Sequence, residues 1–200
     1  MDYFQKIAQR ALARKESLER KESNRTDTYY KQIIDRADLP NKFRDKSFNN
    51  FATELIIQGQ RYNFRDKIKY LKDFAHQKLE EVYFLYLAGS VGSGKTHLAV
   101  ATGKLLAYQK AKELNRELSN RARIGEGKLY LLYINWRSEL KKIRASYNAQ
   151  SNYSAFEAIR RMEVAEVLII DDIFARSKAS SSDLDDLCDL IDYRYQRNKK

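Results

Sequence analysis

Apolar residues are grouped along this chain in two ways, and the contrast predicts the order of its elements. Three stretches are nearly continuous apolar runs: VYFLYLA at 82–88, LYLLYIN at 129–135 and VAEVLIIDDI at 164–173. Continuous runs of this length are typical of strands buried on both faces, as in a parallel sheet. The pattern therefore predicts three strands of a parallel sheet.

Elsewhere the apolar residues recur every three or four positions among charged residues, which is the period of an amphipathic helix. Helices are predicted at 3–24, 65–81, 96–114, 137–147, 153–163 and 182–196. Ser182 suits the N-cap of the last helix, because three aspartates follow it closely and complement the helix dipole. Strands that alternate with helices predict a three-layer α/β fold.

The only proline, Pro40, marks a boundary, because the residue before a proline is biased away from the helical conformation. The prediction is a helical segment over 1–38 and one domain over 39–200. Just after the boundary, Phe43, Phe48 and Phe51 lie in a loop-like stretch.

The charge of the chain narrows the choice of partner. A net charge of +11 favours polyanions, either nucleic acid or an acidic protein surface. The surplus is local, since residues 104–147 hold eleven Lys and Arg against four Asp and Glu. A single cysteine, Cys188, fits a reducing compartment, and no run approaches the roughly 20 apolar residues of a membrane span. We therefore expect a cytoplasmic protein with no membrane segment.

The stretch GSVGSGKTH at 89–97 fits the phosphate-binding loop G-x-x-x-x-G-K-[ST]. Glycines let backbone N–H groups approach phosphates closely, and the following helix offers further unpaired N–H groups. The lysine of this pattern reaches the β- and γ-phosphates, and its threonine hydroxyl coordinates Mg²⁺. A chance glycine-rich turn is the alternative, but the flanking apolar run and helix pattern favour the phosphate loop. The residues predicted to bind the phosphates of a nucleotide are Gly89, Ser90, Val91, Gly92, Ser93, Gly94, Lys95, Thr96 and His97.

Two adjacent carboxylates, Asp171 and Asp172, close the third apolar run. Carboxylates in this setting are costly unless a cation meets them, and Mg²⁺ meets that need. Asp171 is predicted to hold the metal with Thr96, while Asp172 orients the attacking water. Lys95 and Asp172 are thus the predicted catalytic residues. The alternative is a strand that ends in an Asp-rich turn.

Four segments in this order, LPNKFRDKSFNNF, GSVGSGKTHLAVA, VLIIDDI and LIDYRYQRNK, resemble the DnaC/DnaI/IstB group of AAA+ ATPases. The resemblance covers residues 39–200. It implies a P-loop NTPase core with a parallel sheet, ATP and Mg²⁺ as cofactors, ATP hydrolysis and a homo-oligomer. The implied role is to place a replicative ring helicase on single-stranded DNA. Two alternatives are a transposition helper of the IstB type and a nucleotide-gated adaptor with little hydrolysis.

The resemblance also implies places for residues outside the loop and the acids. Phe48 and Phe51 are expected near the adenine. The basic stretch after the second strand is expected to face DNA, with cations neutralising phosphates and a tyrosine stacking on a base. A solvated helix face is the alternative for that stretch. The expected DNA contacts are Lys141, Lys142, Arg144 and Tyr147, while Trp136 and Arg137 are expected to pack and to cap.

The sequence also differs from the group in three places. Phe174 and Arg176 follow the acids where the group commonly has a small residue and an acid, and the connector at 113–127 is longer and more basic. The printed sequence ends where the group continues into a strand with a γ-phosphate sensor and then an arginine finger. An ATPase domain that is incomplete at its C-terminus, and that binds ATP better than it hydrolyses it, is therefore expected.

In helicase loaders, the segment before the ATPase domain docks on the helicase. Residues 1–38 take that place here, and they offer an apolar stripe at helical spacing. The stripe suits docking on a partner and packing on the chain's own domain equally. Its members are Phe4, Ile7, Ala11 and Leu18.

Overall fold

The computed structural model describes residues 3–57, 59–79, 81–117, 129–147, 153–173 and 181–200. Its elements in chain order are α1 (Tyr3–Asp35), two 3₁₀ turns (Asn41–Phe43 and Phe48–Asn50), β1 (Glu54–Ile57), β2 (Gln60–Asn63), α2 (Arg65–Ala75), α3 (Lys95–Glu117), β3 (Leu131–Asn135), α4 (Trp136–Ala145), α5 (Ala155–Val164), β4 (Val167–Asp171) and α6 (Ser181–Tyr195).

The centre of the fold is a parallel pair of strands, β3 and β4, in which Leu131 lies opposite Val167 and Asn135 opposite Asp171. Both strands are apolar along their length because helices cover both faces. Alternate side chains of the two strands contact the helices on each side. The mixed α/β class and the predicted strands at 129–135 and 164–173 are therefore confirmed.

One face of the pair packs against α3 and the second half of α1. Leu131, Tyr133, Val167 and Ile169 form a core there with residues of α3 such as Val100. Gly103 lets α3 cross the sheet closely, because a Cβ at this position would come within 2.7 Å of the Ile169 side chain.

The other face packs against α4, α5 and α6. Leu132 and Ile134 of β3 meet Leu140 of α4, Met162 of α5 and Leu187 of α6. The buried Arg194 fixes this layer, because its guanidinium donates to the carbonyls of the last turn of α5 at 2.7 Å. Burial lowers the pKa of Arg194 to about 10, which leaves it charged at neutral pH.

The strand predicted at 82–88 is wrong, because these residues form no strand and have no strand partner in the described part of the chain. The side chains alternate: Leu85 and Leu87 pack against the core, whereas Tyr86 is 71% exposed. Lys200 instead takes the free edge of β4, exchanging backbone hydrogen bonds with Leu168 and Glu166 at 2.8 and 3.0 Å. No described residue pairs with the 82–88 backbone as a neighbouring strand.

The first helix is longer than the prediction of 3–24, because its second half packs on α3. The rings of Tyr30 and Tyr108 meet edge-on at 5.8 Å between centroids. Asn115 of α3 donates to the carbonyl of Glu22 at 2.8 Å. Of the predicted stripe, Leu18 is 54% exposed, while Phe4, Ile7 and Ala11 have side chains outside the described set.

Four of the other predicted helices, at 96–114, 137–147, 153–163 and 182–196, are confirmed with shifts at their ends. The one predicted at 65–81 ends at Ala75, because Gln77 has a positive φ of 56° and a left-handed residue stops a helix. The antiparallel hairpin of β1 and β2 was not predicted.

Some predictions fall outside the described part of the chain. The side chain of Ser182, most of the connector at 113–127, and both Phe174 and Arg176 lie there. Within the described ranges, none of the helices is both long enough and apolar enough to cross a bilayer.

Candidate functional site

The glycine-rich stretch 89–94 is a loop that leads directly into α3. Gly89, Gly92 and Gly94 all have positive φ, and Val91 at the tip is 88% exposed. Gly94 is constrained twice, because its φ is 85° and a Cβ there would lie 2.5 Å from the ring of Phe51. Only glycine fits such a position without a shift of the neighbouring ring.

The predicted lysine is the first residue of α3. Its Nζ donates to the carbonyl of Ser90 at 2.8 Å and so closes the loop on itself. Leu98 is the first residue of the helix whose N–H is paired, to Gly94 at 2.9 Å. The N–H groups of Lys95, Thr96 and His97 meet no acceptor among the described residues. Such a helix start, next to a lysine, is suited to an anion.

The loop and the acid pair meet through one side-chain contact. The hydroxyl of Thr96 donates to the carboxylate of Asp171, at 2.9 Å from Oδ1 and 3.1 Å from Oδ2. These residues are 75 positions apart in sequence. The contact arises because β4 ends at Asp171 beside the start of α3.

Asp171 also accepts a hydrogen bond from Tyr133 of β3, whose hydroxyl lies 2.8 Å from Oδ2. Tyr133 is only 6% exposed. Burial, and then the hydrogen bond to Asp171, raise the pKa of the Tyr133 hydroxyl well above its usual range. Tyr133 therefore stays protonated and acts as a donor.

The second acid lies just beyond β4 in an uncommon backbone conformation. Asp172 has a φ of 56°, a region that only glycine, asparagine and aspartate visit readily. Its Oδ2 accepts a hydrogen bond from Nδ2 of Asn135 at 2.8 Å.

Asn135 has a second partner, because its Oδ1 accepts the backbone N–H of Ser138 at 3.1 Å and so caps α4. One amide side chain thus joins Asp172 to the start of α4. Because Asn135 lies opposite Asp171 in the parallel register, the ends of both strands contribute to the same cluster.

His97 connects the first turn of α3 to the stretch that follows Pro40. Its Nε2 lies 2.8 Å from the carbonyl of Ser47 and 3.1 Å from Oδ1 of Asn50. Because both partners accept, Nε2 carries the proton. Phe51 meets the His97 ring edge-on at 5.0 Å. Phe51, which is predicted to lie near the adenine, thus lies against the loop. Phe48 and Phe51 both pack against a small buried cluster that includes Leu98.

The predicted DNA contacts lie on the outer side of α4. Leu140 and Ile143 face the sheet, which leaves Lys141, Lys142 and Arg144 exposed. Tyr147, just after the helix, is 75% exposed. Lys142 is paired with Glu139 at 3.1 Å. As expected, Trp136 is packed in the core, with 4% of its surface exposed.

The structure thus brings Lys95, Thr96, Asp171 and Asp172 to one end of the parallel pair. The donor set of Thr96 and Asp171 is a hydroxyl and a carboxylate, the hard oxygen ligands that Mg²⁺ accepts together with phosphates and water. Thr96 and Asp171 therefore fit Mg²⁺.

The sequence reasoning missed two residues of this cluster, Tyr133 and Asn135. A signal for Asn135 was available, because it is the polar residue that closes the second apolar run. Parallel neighbouring strands bring their ends together, which would have placed it beside the acids. Tyr133 is one of several aromatic residues in its run, so no pattern singled it out.

The comparisons with known proteins give distant relatives. No protein-family model and no solved structure matches the chain. The phage-like element PBSX protein XkdC of Bacillus subtilis strain 168 is 27% identical over 173 residues, which cover 84% of this chain and 57% of that protein. The uncharacterized protein YqaM of the same strain is 26% identical over 195 residues, covering 90% and 55%. The chain therefore spans a little more than half the length of these relatives.

Proposed function

We propose that this chain binds ATP with Mg²⁺ and uses the nucleotide to help load a ring helicase onto single-stranded DNA. The fold behind this proposal is a P-loop core of the AAA+ type, in the DnaC/DnaI/IstB group. Its setting is the cytoplasm, and its working form is a homo-oligomer.

The observation that carries the proposal is the hydrogen bond between Thr96 and Asp171. A chance glycine-rich turn has no reason to lie against an acid that closes a parallel strand. A nucleotide site needs both parts at the same edge, since Thr96 and Asp171 would hold a metal that neutralises charge on phosphates bound by the loop. The unpaired N–H groups at the start of α3 add a site for the phosphates themselves.

The roles follow from this arrangement. Lys95 exchanges its bond to Ser90 for one to the β- and γ-phosphates, and Thr96 and Asp171 hold Mg²⁺. The metal, when bound, neutralises negative charge on the phosphates. Asp172 accepts a proton from, or orients, the attacking water.

Binding and hydrolysis of ATP test the proposal directly. A fluorescent ATP analogue is titrated into the chain, and phosphate release is followed with and without single-stranded DNA. We expect Mg²⁺-dependent binding and turnover that DNA raises. Absence of binding would contradict the site, while tight binding without turnover would favour a nucleotide-gated adaptor.

The DNA contacts are tested by removing three charges from the outer face of α4. The triple variant Lys141→Ala, Lys142→Ala, Arg144→Ala should weaken binding of single-stranded DNA and lower the slope of log K against log salt by about 2, since each phosphate contact contributes about 0.7. A matched control removes three exposed charges from α1, with Lys15→Ala, Arg20→Ala and Lys21→Ala. Equal losses in the two triple variants would assign the effect to net charge alone.

Capture of a purified replicative ring helicase separates a loader from a transposition helper of the IstB type. A loader retains the helicase, whereas a helper that serves a transposase does not. The name of one relative places that protein in a phage-like element, and a loader that serves the replication of such an element is consistent with it.

A further inference from the structure

Tyr133 is the only tyrosine of β3, and its hydroxyl donates a hydrogen bond to Asp171, the candidate metal ligand. The ring lies in the core between the sheet and α3, 5.8 Å from the ring of Phe43 between centroids. The backbone N–H of Tyr133 donates to the carbonyl of Ala37 at 2.8 Å. The backbone and the ring of Tyr133 are thus both held by their contacts, and these contacts also fix the position of the hydroxyl beside Asp171.

The hydroxyls of Thr96 and Tyr133 both donate to Asp171, but they contact its two carboxylate oxygens differently. Thr96 lies at nearly equal distances from the two oxygens, 2.9 and 3.1 Å, so its proton does not distinguish them. Tyr133 bonds to Oδ2 alone, at 2.8 Å. The terminal torsion of an aspartate is broad, so among the described residues it is the Tyr133 bond that distinguishes Oδ2 from Oδ1.

We propose that Tyr133 is a positioning residue, which holds Oδ2 of Asp171 so that the carboxylate presents its remaining lone pairs to Mg²⁺. The inference rests on the proposed function. Two hydroxyl donors occupy about two of the four acceptor positions of a carboxylate, so positions remain for a cation or for its bound water. A partner that orients a metal ligand in this way typically changes metal affinity by about 10- to 100-fold when it is removed.

The test compares nucleotide affinity with Mg²⁺ and with EDTA, using the whole chain and a fluorescent ATP analogue. The Kd in EDTA divided by the Kd with Mg²⁺ measures how much the metal contributes to nucleotide affinity. In Tyr133→Phe, which keeps the ring, this ratio should fall about tenfold, while the Kd in EDTA stays within about twofold of the wild type. Melting temperatures are measured first, so that every titration is made where all variants are folded.

A matched control is Tyr130→Phe, whose partly buried hydroxyl donates to the carbonyl of Leu106 at 3.4 Å and does not contact Asp171. We expect its ratio to equal that of the wild type. Replacement of Tyr133 by 4-aminophenylalanine, whose amine still donates, should restore most of the ratio that Tyr133→Phe loses. In an Asp171→Asn background, Tyr133→Phe should change the ratio no further.

The outcomes separate this inference from the proposed function. A wild-type ratio in Tyr133→Phe, or equal losses in Tyr133→Phe and Tyr130→Phe, would overturn the positioning role while leaving the nucleotide site intact. A wild-type chain that binds no nucleotide would overturn the proposed function itself. A wild-type chain that binds the nucleotide equally with Mg²⁺ and EDTA would remove the metal role of Asp171, and with it that of Tyr133.

Discussion

The glycine loop at 89–94 and the acids at the end of β4 lie side by side, but their surroundings differ. The loop is exposed, and Lys95 is bonded back to a carbonyl of the loop itself. Asp171 and Asp172, in contrast, accept hydrogen bonds from β3 residues at 2.8 Å each. Asp171 is thus held by the buried Tyr133, Asp172 by an exposed contact with the neighbouring strand, and Lys95 by a contact within the loop.

This difference indicates how each half meets a ligand. The carboxylates are preorganised, so they spend little free energy on ordering when a ligand binds. In the proposed nucleotide complex, Lys95 gives up its bond to Ser90 for the phosphates, so the final arrangement of the loop depends on the ligand. Substitution of Lys95 should therefore alter nucleotide affinity with little change in stability, whereas substitutions around the acids should alter turnover, the contribution of the metal to affinity, or stability.

The largest effect is expected from Asp172→Asn. Loss of a group that activates water typically lowers turnover by about 10²- to 10⁴-fold. Asparagine tolerates the positive φ of Asp172, and its amide oxygen can still accept from Asn135, so the fold and the nucleotide Kd should not change. Phosphate release under single-turnover conditions, with the Kd measured on the same sample, checks this.

Hydrolysis that persists in Asp172→Asn would remove Asp172 from the catalytic role. A large loss of nucleotide affinity in the same variant would contradict the assignment of Asp172 to turnover alone, since it would mean that Asp172 also contributes to binding. The two results are distinguished because affinity and turnover are measured separately.

The next effect in size is that of Lys95→Ala on affinity. Hydrogen bonds to charged groups contribute about 1.5–3 kcal/mol, so the Kd for ATP should rise roughly 10- to 100-fold. The free energy of unfolding should change by less than about 1 kcal/mol, because the bond to Ser90, the one that the described residues show for the Lys95 side chain, is exposed and competes with water. The control Lys69→Ala removes the same charge from the exposed face of α2, where Lys69 pairs with Asp73 at 3.3 Å.

An unchanged Kd in Lys95→Ala would contradict the assignment of the whole loop. Equal increases in Lys95→Ala and Lys69→Ala would show that the protein responds to its net charge and not to a phosphate contact.

The same contrast explains which parts could be predicted from the sequence. The helix predicted at 96–114 follows from a strong local period, and the strands of the parallel pair follow from continuous apolar runs. The loop follows from the fixed spacing of its motif, and the acid pair from its place at the end of an apolar run. The strand predicted from the apolar run at 82–88 is wrong, because continuous apolar character does not distinguish a paired strand from an irregular segment that packs on one side.

The contacts that assemble the acid half could not be read in the same way. The bonds from Tyr133 and Asn135 cross from one strand to its neighbour, so they depend on the register of the sheet and not on any local pattern. The loop is contiguous in sequence and can therefore be predicted from a motif. The hydrogen bonds that hold the two acids form only through tertiary packing.

The smallest expected effect comes from Asn135→Ala, which breaks the link between Asp172 and α4. Loss of an N-cap costs about 1 kcal/mol of stability. Ser154→Ala is a matched control, because Ser154 caps α5 by accepting the N–H of Glu157 at 3.2 Å and has no contact with the acids. Both variants should lose similar stability in chemical denaturation.

Only Asn135→Ala should also change the response to DNA. In the described part of the chain, the side chain of Asn135 is what connects the basic helix to Asp172. Turnover with and without single-stranded DNA should therefore become more alike in Asn135→Ala and stay as in the wild type in Ser154→Ala. If both variants keep the wild-type response, the bond to Asp172 serves only to hold the acid, and DNA acts on the site by another route.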